Sequence, residues 1–358
     1  MIFSKIVTST TSVAVIFATM SVISLVLEIP TGALADTFGR KKTMAVAGFI
    51  SVIAIILLSL SVNFLMLIIF AILFALKNTL NSGCQEALYY DTLVELGKEK
   101  DYKKILGRNM FYTQVGAVVG SLLGGFMASY SLRLPFLLTI PIALLGWILV
   151  LLVVEPKYKE EREDGYIRFT QASVREFLTN KQIMWLGLFG MITFGIGESV
   201  WHLSQIFFNY VNLPIVLFGI VAAIGSLSGA VGSILSHYIS TKIGDKWALA
   251  LSTLAKNLLL GISTLIIGPP AVLIFMFGGF FSSVSEPVLA NLLNKEIRSS
   301  NRSTILSTYN MLTNLGYIIY AIVLGYLADI YNIAVAFRIS GVLALFSIII
   351  ISKLSYKK

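Results

Sequence analysis

Apolar runs separated by short polar gaps extend along the whole chain. A helix needs about 20 apolar residues to cross a bilayer, and about eleven runs of that kind are present. They fall at roughly 7–30, 43–62, 64–85, 108–130, 133–154, 183–210, 214–238, 247–267, 270–292, 304–327 and 333–352. The pattern predicts an all-α membrane protein with five spans in residues 1–154 and six in residues 183–358.

The longest gap, residues 155–182, separates the two groups of spans. It begins with a mixed-charge run, which predicts a solvated segment. Residues 166–179 then place apolar side chains among polar ones, which predicts an amphipathic helix on the inner membrane surface. We therefore expect residues 155–182 to form a linker between two transmembrane halves.

The composition agrees with a membrane protein. Of the 358 residues, 57% are hydrophobic and 13% are charged, whereas a soluble domain carries about 25% charged residues. The single cysteine, Cys84, excludes an internal disulfide, and the two histidines are too far apart in sequence for a metal motif. No phosphate-binding loop and no catalytic constellation appears. We expect neither an enzyme nor a cofactor, and no nucleic-acid partner.

The positions of Lys and Arg indicate the orientation of the chain. If residues 31–42 lie inside, the alternation of spans places 22 of the 27 Lys and Arg residues inside and only Lys5, Arg133 and Arg338 outside. Basic residues next to spans stay on the cytoplasmic side. The sequence therefore predicts a multi-pass protein of the cell membrane, with the linker and the C-terminus cytoplasmic and net charge +9 concentrated in inner loops.

An internal repeat relates the two groups of spans. Residues 82–86 resemble residues 282–286, and Gly116 and Gly125 keep the same offset of 200 from Gly316 and Gly325. This offset places the partner of the span 183–210 mostly before Met1. We therefore expect a first helix to be missing, through a mis-assigned start or a truncation. The alternative is a genuine eleven-span protein.

The stretch 28–42 carries the most specific motif. Gly32, Asp36, Gly39 and Arg40 resemble the signature loop between helices 2 and 3 of the major facilitator superfamily of secondary transporters, with a departure at Thr37, where that family often has a basic residue. The resemblance implies two pseudo-symmetric helical halves made of family helices 2 to 12. It also implies that Asp36 faces the start of helix 11 and that Arg40 reaches an acid at the end of helix 4, for which Asp91 is the candidate. Such contacts would act as a gate. The alternative is that they only cap the helices and balance the charges of the loops.

A glycine-rich seam follows in the span 108–130. Gly116, Gly120, Gly124 and Gly125 predict a helix that approaches its neighbour closely. The seam resembles a helix 5 motif of the exchangers in this superfamily, but Ser121 stands where those usually have proline. Plain helix packing is therefore at least as good an interpretation.

Two ionisable residues stand deep within the span 183–210. Glu198 and His202 are four residues apart and share one helix face, with Trp201 and Gln205 nearby. By resemblance this span is helix 7, which lines the central cavity. We predict that Glu198 binds and releases a coupling proton, with His202 as its partner. The alternative is a hydrogen-bonded structural pair between helices.

Two lysines lie inside predicted spans. Lys77 falls near a helix 4 position where many relatives carry an arginine implicated in proton coupling, but its stem can also extend to the inner surface. Lys256 lies ten residues into its span and needs a carboxylate that the sequence does not identify. Glu286, by contrast, is expected at the cytoplasmic end of its span.

These features favour a transporter that works by alternating access. We expect proton-coupled export of a small amphipathic molecule by a monomer in the bilayer. The aromatic residues of the span 183–210 support this, namely Phe194, Trp201, Phe207, Phe208 and Tyr210. A proton-coupled nutrient importer is the second interpretation. A transport-dead membrane protein that binds a ligand or partner is the third.

Overall fold

The computed structural model describes residue 3 and residues 6–82, 84–98, 101–156, 179–297 and 302–353. Across these ranges the chain has twelve α-helices of at least 12 residues, one short 3-10 helix and no strand. The helices are α1 Thr10–Phe38, α2 Arg40–Leu60, α3 Phe64–Asn81, α4 Cys84–Glu95, α5 Tyr102–Tyr130, α6 Leu134–Leu152, α7 Lys181–Tyr210, α8 Phe218–Ile243, α9 Asp245–Ser263, α10 Pro270–Glu296, α11 Arg302–Ile330 and α12 Ile333–Ser352. The predicted all-α membrane fold is confirmed.

Local signals fix where several helices begin. Asn63, Asn180 and Asn332 cap α3, α7 and α12, because their side-chain oxygens accept hydrogen bonds from N–H groups of the first turn. Gly39 joins α1 to α2 with φ 99° and Gly244 joins α8 to α9 with φ 87°. Both backbones need the left-handed region that glycine adopts without strain. The loop between α1 and α2 and the loop between α8 and α9 therefore share one backbone conformation.

Ten of the twelve helices are long and apolar enough to cross a membrane. Of the other two, α4 is only 12 residues long and follows α3 after a break at Ser82, so the span predicted at 64–85 is divided. The helix α9 corresponds to the span predicted at 247–267. It is not apolar enough along its length to be counted with the other ten, because Lys256 and Asn257 stand in its middle.

The described residues form two compact units. Unit 1 contains α2 to α6 and most of α1, and unit 2 contains α7 to α12 together with Ser9–Val15 at the start of α1. Residues 157–178 lie outside the described residues. The predicted linker limits, 155–182, and its amphipathic helix at 166–179 therefore stay predictions.

Unit 1 is organised around α2, which packs against α3, α4 and α6. Its buried positions include Ala47, Ala54 and Leu58, so small residues let the neighbouring helices approach. At Gly48 an added Cβ would lie 2.8 Å from the Trp147 ring of α6, so this glycine lets α6 approach α2 closely. The helix α6 itself has no buried residue.

Unit 2 has a continuous core. The helix α7 packs on α11 and α12, and α10 packs on α8 and α9. Ile183, Leu186 and Phe189 of α7 meet Leu249 of α9 and Leu292 of α10 in its main cluster. Further along α7, Gly195 lets this helix touch α11, because a Cβ at Gly195 would lie 2.7 Å from the backbone of Gly316. This close approach brings the polar middles of the helices together.

Candidate functional site

Three charged side chains meet in unit 2, and we call them the charged triad: Glu198 of α7, Lys256 of α9 and Glu286 of α10. The amine of Lys256 interacts electrostatically with both carboxylates, and the carboxylates interact with each other. Glu286 is thus one of the partners that the sequence could not identify for Lys256.

The backbone of α7 makes room for the lysine. A Cβ at Gly197 would lie only 2.7 Å from the Nζ atom of Lys256, so the amine lies directly against α7 beside Glu198. An ordinary side chain at 197 would compete with it for the same space. Gly197 therefore positions the amine of the triad.

All three members of the triad stand in the middle third of their helices. Glu286 was expected at the cytoplasmic end of its span, and it stands ten residues before the end of α10 at Glu296. An ionised group at mid-membrane costs about 2.5–3.5 kcal/mol on insertion scales. Mutual compensation within the triad is the physical reason that three such groups are tolerated together.

Two aromatic side chains surround Glu198. His202 Nδ1 lies 2.9 Å from the backbone carbonyl oxygen of Glu198, and since a carbonyl only accepts, Nδ1–H is the donor. The His202 ring lies 5.3 Å from the ring of Tyr317 of α11. His202 therefore contacts Glu198 through the backbone carbonyl of the glutamate, and Tyr317 lies against the His202 ring.

Tyr317 carries the most unusual polar group of the site. Its side chain is 3% exposed, and its hydroxyl has no hydrogen-bond partner among the described residues. It interacts electrostatically with Glu198, while Tyr309 of the same helix interacts with Glu286. Sequence reasoning missed both tyrosines, because they stand more than 100 residues beyond Glu198 and no local spacing relates them to it.

One face of α7 leaves side chains exposed around Glu198. Together with Glu198, the residues Phe194, Trp201, Gln205 and Asn209 recur at intervals of three or four, and these four are exposed. A lipid-facing stripe would be uniformly apolar, whereas this one alternates aromatic and polar groups. The exposed face of α7 therefore suits a polar or mixed environment.

Two of the aromatic residues that were expected on this surface are buried instead. Phe207 and Phe208 are buried, because they turn inward and pack against Phe275, and Phe207 also packs against Phe337. That expectation was wrong. Tyr210, at the end of α7, is exposed as expected.

In unit 1 the signature loop forms a second polar cluster. Arg40 makes an ion pair with Asp91, which is 3% exposed. The backbone N–H of Arg40 donates to Glu155 Oε1 at 2.5 Å, and a Cβ at Gly39 would lie 2.8 Å from the same oxygen. The structure thus joins the predicted Arg40 and Asp91 and adds Glu155, which the sequence placed in the linker. The surroundings of Gly32 and Asp36 lie outside the described residues.

The remaining predicted residues are separate from these clusters. Lys77 of α3 holds its amine 4.5 Å from the centre of the Phe74 ring, a cation–π contact. At Gly116, Gly120 and Gly124, a Cβ would meet no described atom within 4 Å, so these residues do not pack against a neighbour. The predicted close helix approach is therefore not seen at these three positions among the described residues, whereas Gly125 is buried.

An acid that the sequence did not single out holds the start of α1. The carboxylate of Asp329, near the end of α11, accepts hydrogen bonds from the Ser9 hydroxyl and the Thr10 N–H, both at 2.6 Å. Thr11 donates to the same group from its backbone and its hydroxyl. At Gly325, one turn earlier, a Cβ would lie 2.9 Å from Ala14 Cβ, so α1 and α11 touch here.

Comparison with known proteins agrees with this arrangement over nearly the whole chain. The sequence profile of the Major Facilitator Superfamily matches residues 2–270 and 254–357. The uncharacterized MFS-type transporter YxaM of Bacillus subtilis (strain 168) is 22% identical over 344 residues, which cover 93% of this chain and 84% of the relative.

Two solved structures share the fold. The nucleoside transporter NupG has a TM-score of 0.83 at 13% identity, covering 98% of this chain and 91% of NupG. A D-xylose-proton symporter has a TM-score of 0.74 at 15% identity, covering 97% of this chain and 88% of the symporter. With the profile match, the paired helical units and the signature loop, these findings show that the chain belongs to the Major Facilitator Superfamily.

Proposed function

We propose that this chain is a secondary transporter that exports a small amphipathic molecule in exchange for protons, with the charged triad as its coupling site. The observation that carries the proposal is the meeting of Glu198, Lys256 and Glu286 at mid-helix in unit 2. Members of this superfamily carry their sites near the midplane and alternate access between the two sides.

Two carboxylates that share one amine are suited to proton coupling. Lys256 compensates only one negative charge, so the other carboxylate gains most from a proton or another cation. A proton drives the transport cycle only if its affinity differs between the inward-open and outward-open states. A change in the distance between Lys256 and Glu198 supplies such a difference, because it changes how well the carboxylate is compensated.

The exposed face of α7 supports an amphipathic substrate. Trp201 is 50% exposed one turn from Glu198, and Phe194 is exposed one turn before it. Flat aromatic surface beside a single charged group binds molecules that are largely apolar with a polar end. Sugars would instead require many hydrogen-bonding side chains on the same face.

The cluster in unit 1 supports gating at the signature loop. Arg40, Asp91 and Glu155 link the start of α2 to α4 and to the residues after α6. We propose that this ion pair forms in one state of the cycle and breaks in the other. Its role is then to set the populations of the two states and not to bind substrate.

Proteoliposomes that contain the full chain and trapped pyranine test the coupling. A pH gradient is imposed, and rhodamine 6G, uridine or D-xylose is added while the internal pH is followed. Proton efflux coupled to rhodamine 6G uptake into acid-loaded vesicles is the expected result. Co-movement of protons with uridine or xylose would establish import instead.

Glu198→Gln is the decisive variant, because it removes the charge and keeps the shape. It should abolish substrate-dependent proton flux while the protein stays monodisperse. Glu296→Gln, at the end of α10, is the matched control and should transport normally. Unchanged proton flux in Glu198→Gln would remove Glu198 from the coupling mechanism.

A further inference from the structure

We infer that the charged triad also selects the substrate by charge and takes a lipophilic monocation, an organic cation with an apolar body. This inference rests on the proposed function, since it assigns a substrate class to the same site. It goes beyond the coupling role of Glu198 because it gives distinct roles to Glu286, Lys256 and Tyr317.

The charge count of the site gives the first argument. With both carboxylates ionised, the triad carries two negative charges and one positive charge, so one negative charge is left over. Burying an uncompensated charge in a membrane protein is unfavourable, and a positive partner relieves the cost. One added positive charge completes the site, whereas an anion or a dication leaves it unbalanced again.

The geometry indicates where the added charge binds. Lys256 interacts with both carboxylates, and Glu198 is the one that stands one turn from the exposed Trp201 on α7. The charged and titratable groups around Glu198 are His202 on α7, Lys256 on α9, Glu286 on α10 and Tyr317 on α11. Lys256 is the one lysine in this described set, and no arginine belongs to it.

Tyr317 supplies an independent sign of a ligand. Its hydroxyl is buried and has no hydrogen-bond partner among the described residues, although it interacts with Glu198. Buried hydroxyl groups are normally satisfied, so a group left unsatisfied is available to a ligand. Beside the Glu198 carboxylate, which can take the proton of this hydroxyl in a hydrogen bond, the oxygen lone pairs of Tyr317 are left for a cation.

Trp201 explains why the cation should be lipophilic. Its indole is half exposed and lies three residues from Glu198, on the same face of α7. Indole is the best aromatic partner for a cation, and its area also covers an apolar body. A carboxylate beside an exposed indole therefore binds both parts of such a molecule.

The same carboxylate is then used by the proton and by the substrate. Protonated Glu198 leaves the triad neutral, and the neutral triad has no charge to offer a cation. Binding of the two is mutually exclusive, which is the condition for exchange.

The test compares two ions of nearly equal size and opposite charge. Binding of radiolabelled tetraphenylphosphonium and tetraphenylborate to the purified full chain is measured at pH 8, where an ordinary imidazole is neutral. We expect saturable binding of the phosphonium and none of the borate. Glu198→Gln should weaken phosphonium binding at least tenfold, and Glu296→Gln should leave it unchanged.

A second variant moves affinity in the opposite direction. Lys256→Met raises the leftover charge from one to two, so it should tighten phosphonium binding several-fold. If Glu198→Gln fails to fold, Glu286→Gln removes the other negative charge and replaces it in the test. Equal binding of both ions, or wild-type affinity in these carboxylate variants, would overturn the inference.

The two proposals fail in different ways. Selective phosphonium binding without any proton-coupled flux in vesicles would leave the cation site standing and refute the proposed coupling. Proton-coupled flux of uridine with no phosphonium binding would leave coupling standing and refute the charge selection.

Discussion

Asp329 holds the start of α1 through Thr11, whose backbone N–H donates to its carboxylate at 2.9 Å and whose hydroxyl donates at 2.5 Å. The first N–H groups of a helix have no partner inside that helix. Here the acid that satisfies them comes from the far end of another helix, α11. The first turn of α1 therefore depends on a residue more than 300 positions away.

Asp329→Ala should lower the free energy of unfolding by about 1–2 kcal/mol, the range found for lost helix caps. Asn332→Ala is the matched control, because it removes the cap of α12, whose donor Val335 lies within the same helix. Both variants should melt earlier. Only Asp329→Ala should speed hydrogen exchange at residues 9–15, and unchanged exchange there would show that the contact does not hold α1.

Gly197→Ala should impair coupling with little loss of stability. The added methyl group would lie 2.7 Å from the amine of Lys256, whose flexible stem can move aside. The amine is then displaced from its place beside Glu198. Gly278→Ala is the control, since its Cβ would lie at an ordinary 3.8 Å from the Lys256 backbone oxygen. Equal proton flux in the two variants would refute a positioning role for Gly197.

Variants of Arg40 and Asp91 distinguish a gating role of this ion pair from a purely structural one. Asp91→Ala leaves the guanidinium unpaired and should cost about 3 kcal/mol, the lower end for broken buried pairs. Replacing both residues, as Arg40→Met with Asp91→Leu, should restore most of that stability. We expect the double variant to melt normally and to transport at less than a tenth of the wild-type rate. Normal transport by the double variant would make the pair structural only.

Tyr317→Phe should affect stability and binding in opposite ways. Removing an unsatisfied buried hydroxyl should raise the free energy of unfolding, by up to about 1 kcal/mol. The same change should weaken tetraphenylphosphonium binding, because the oxygen no longer faces the cation. Parallel melting and binding measurements check both signs, and a destabilised variant would show that the hydroxyl has a partner in the ligand-free protein.

Two glycine-to-alanine substitutions, one in α5 and one in α7, should have different effects on the free energy of unfolding. Gly120→Ala should be neutral or stabilise by about 0.5–1 kcal/mol, because the site is open and alanine favours the helix. Gly195→Ala should destabilise by about 1–3 kcal/mol, because its methyl group would press on the backbone of Gly316. Similar melting temperatures for the two variants would contradict the close contact of α7 with α11.

The sequence predicted the helices well because membrane insertion imposes a strong and local pattern. The span predicted at 183–210 is the helix Lys181–Tyr210, and Asn180 marks its start. The ion pair of Arg40 with Asp91 was also anticipated, but only through the resemblance of the signature loop. Local composition alone does not bring residues 51 positions apart together.

The site was only half predictable, for a physical reason. Glu198 and His202 share a helix, so their proximity follows from spacing. Glu286 and Tyr317 join them through packing of α10 and α11 in unit 2, which no local pattern encodes. Phe207 shows the converse error, because an aromatic side chain on the same helix fits a cavity lining and a core equally well until its neighbours are known.

Lys256 has a consequence for how the protein is made. The helix α9 is not among the described helices that are long and apolar enough to cross a membrane, and a lysine at the centre of a segment opposes insertion by about 2.5–3.5 kcal/mol. Its compensating carboxylates lie on α7, which is synthesised earlier, and on α10, which is synthesised later. We therefore expect the contacts of α9 with α7 and α10 to favour its insertion, so the residue proposed to serve the substrate would also couple the membrane integration of these three helices.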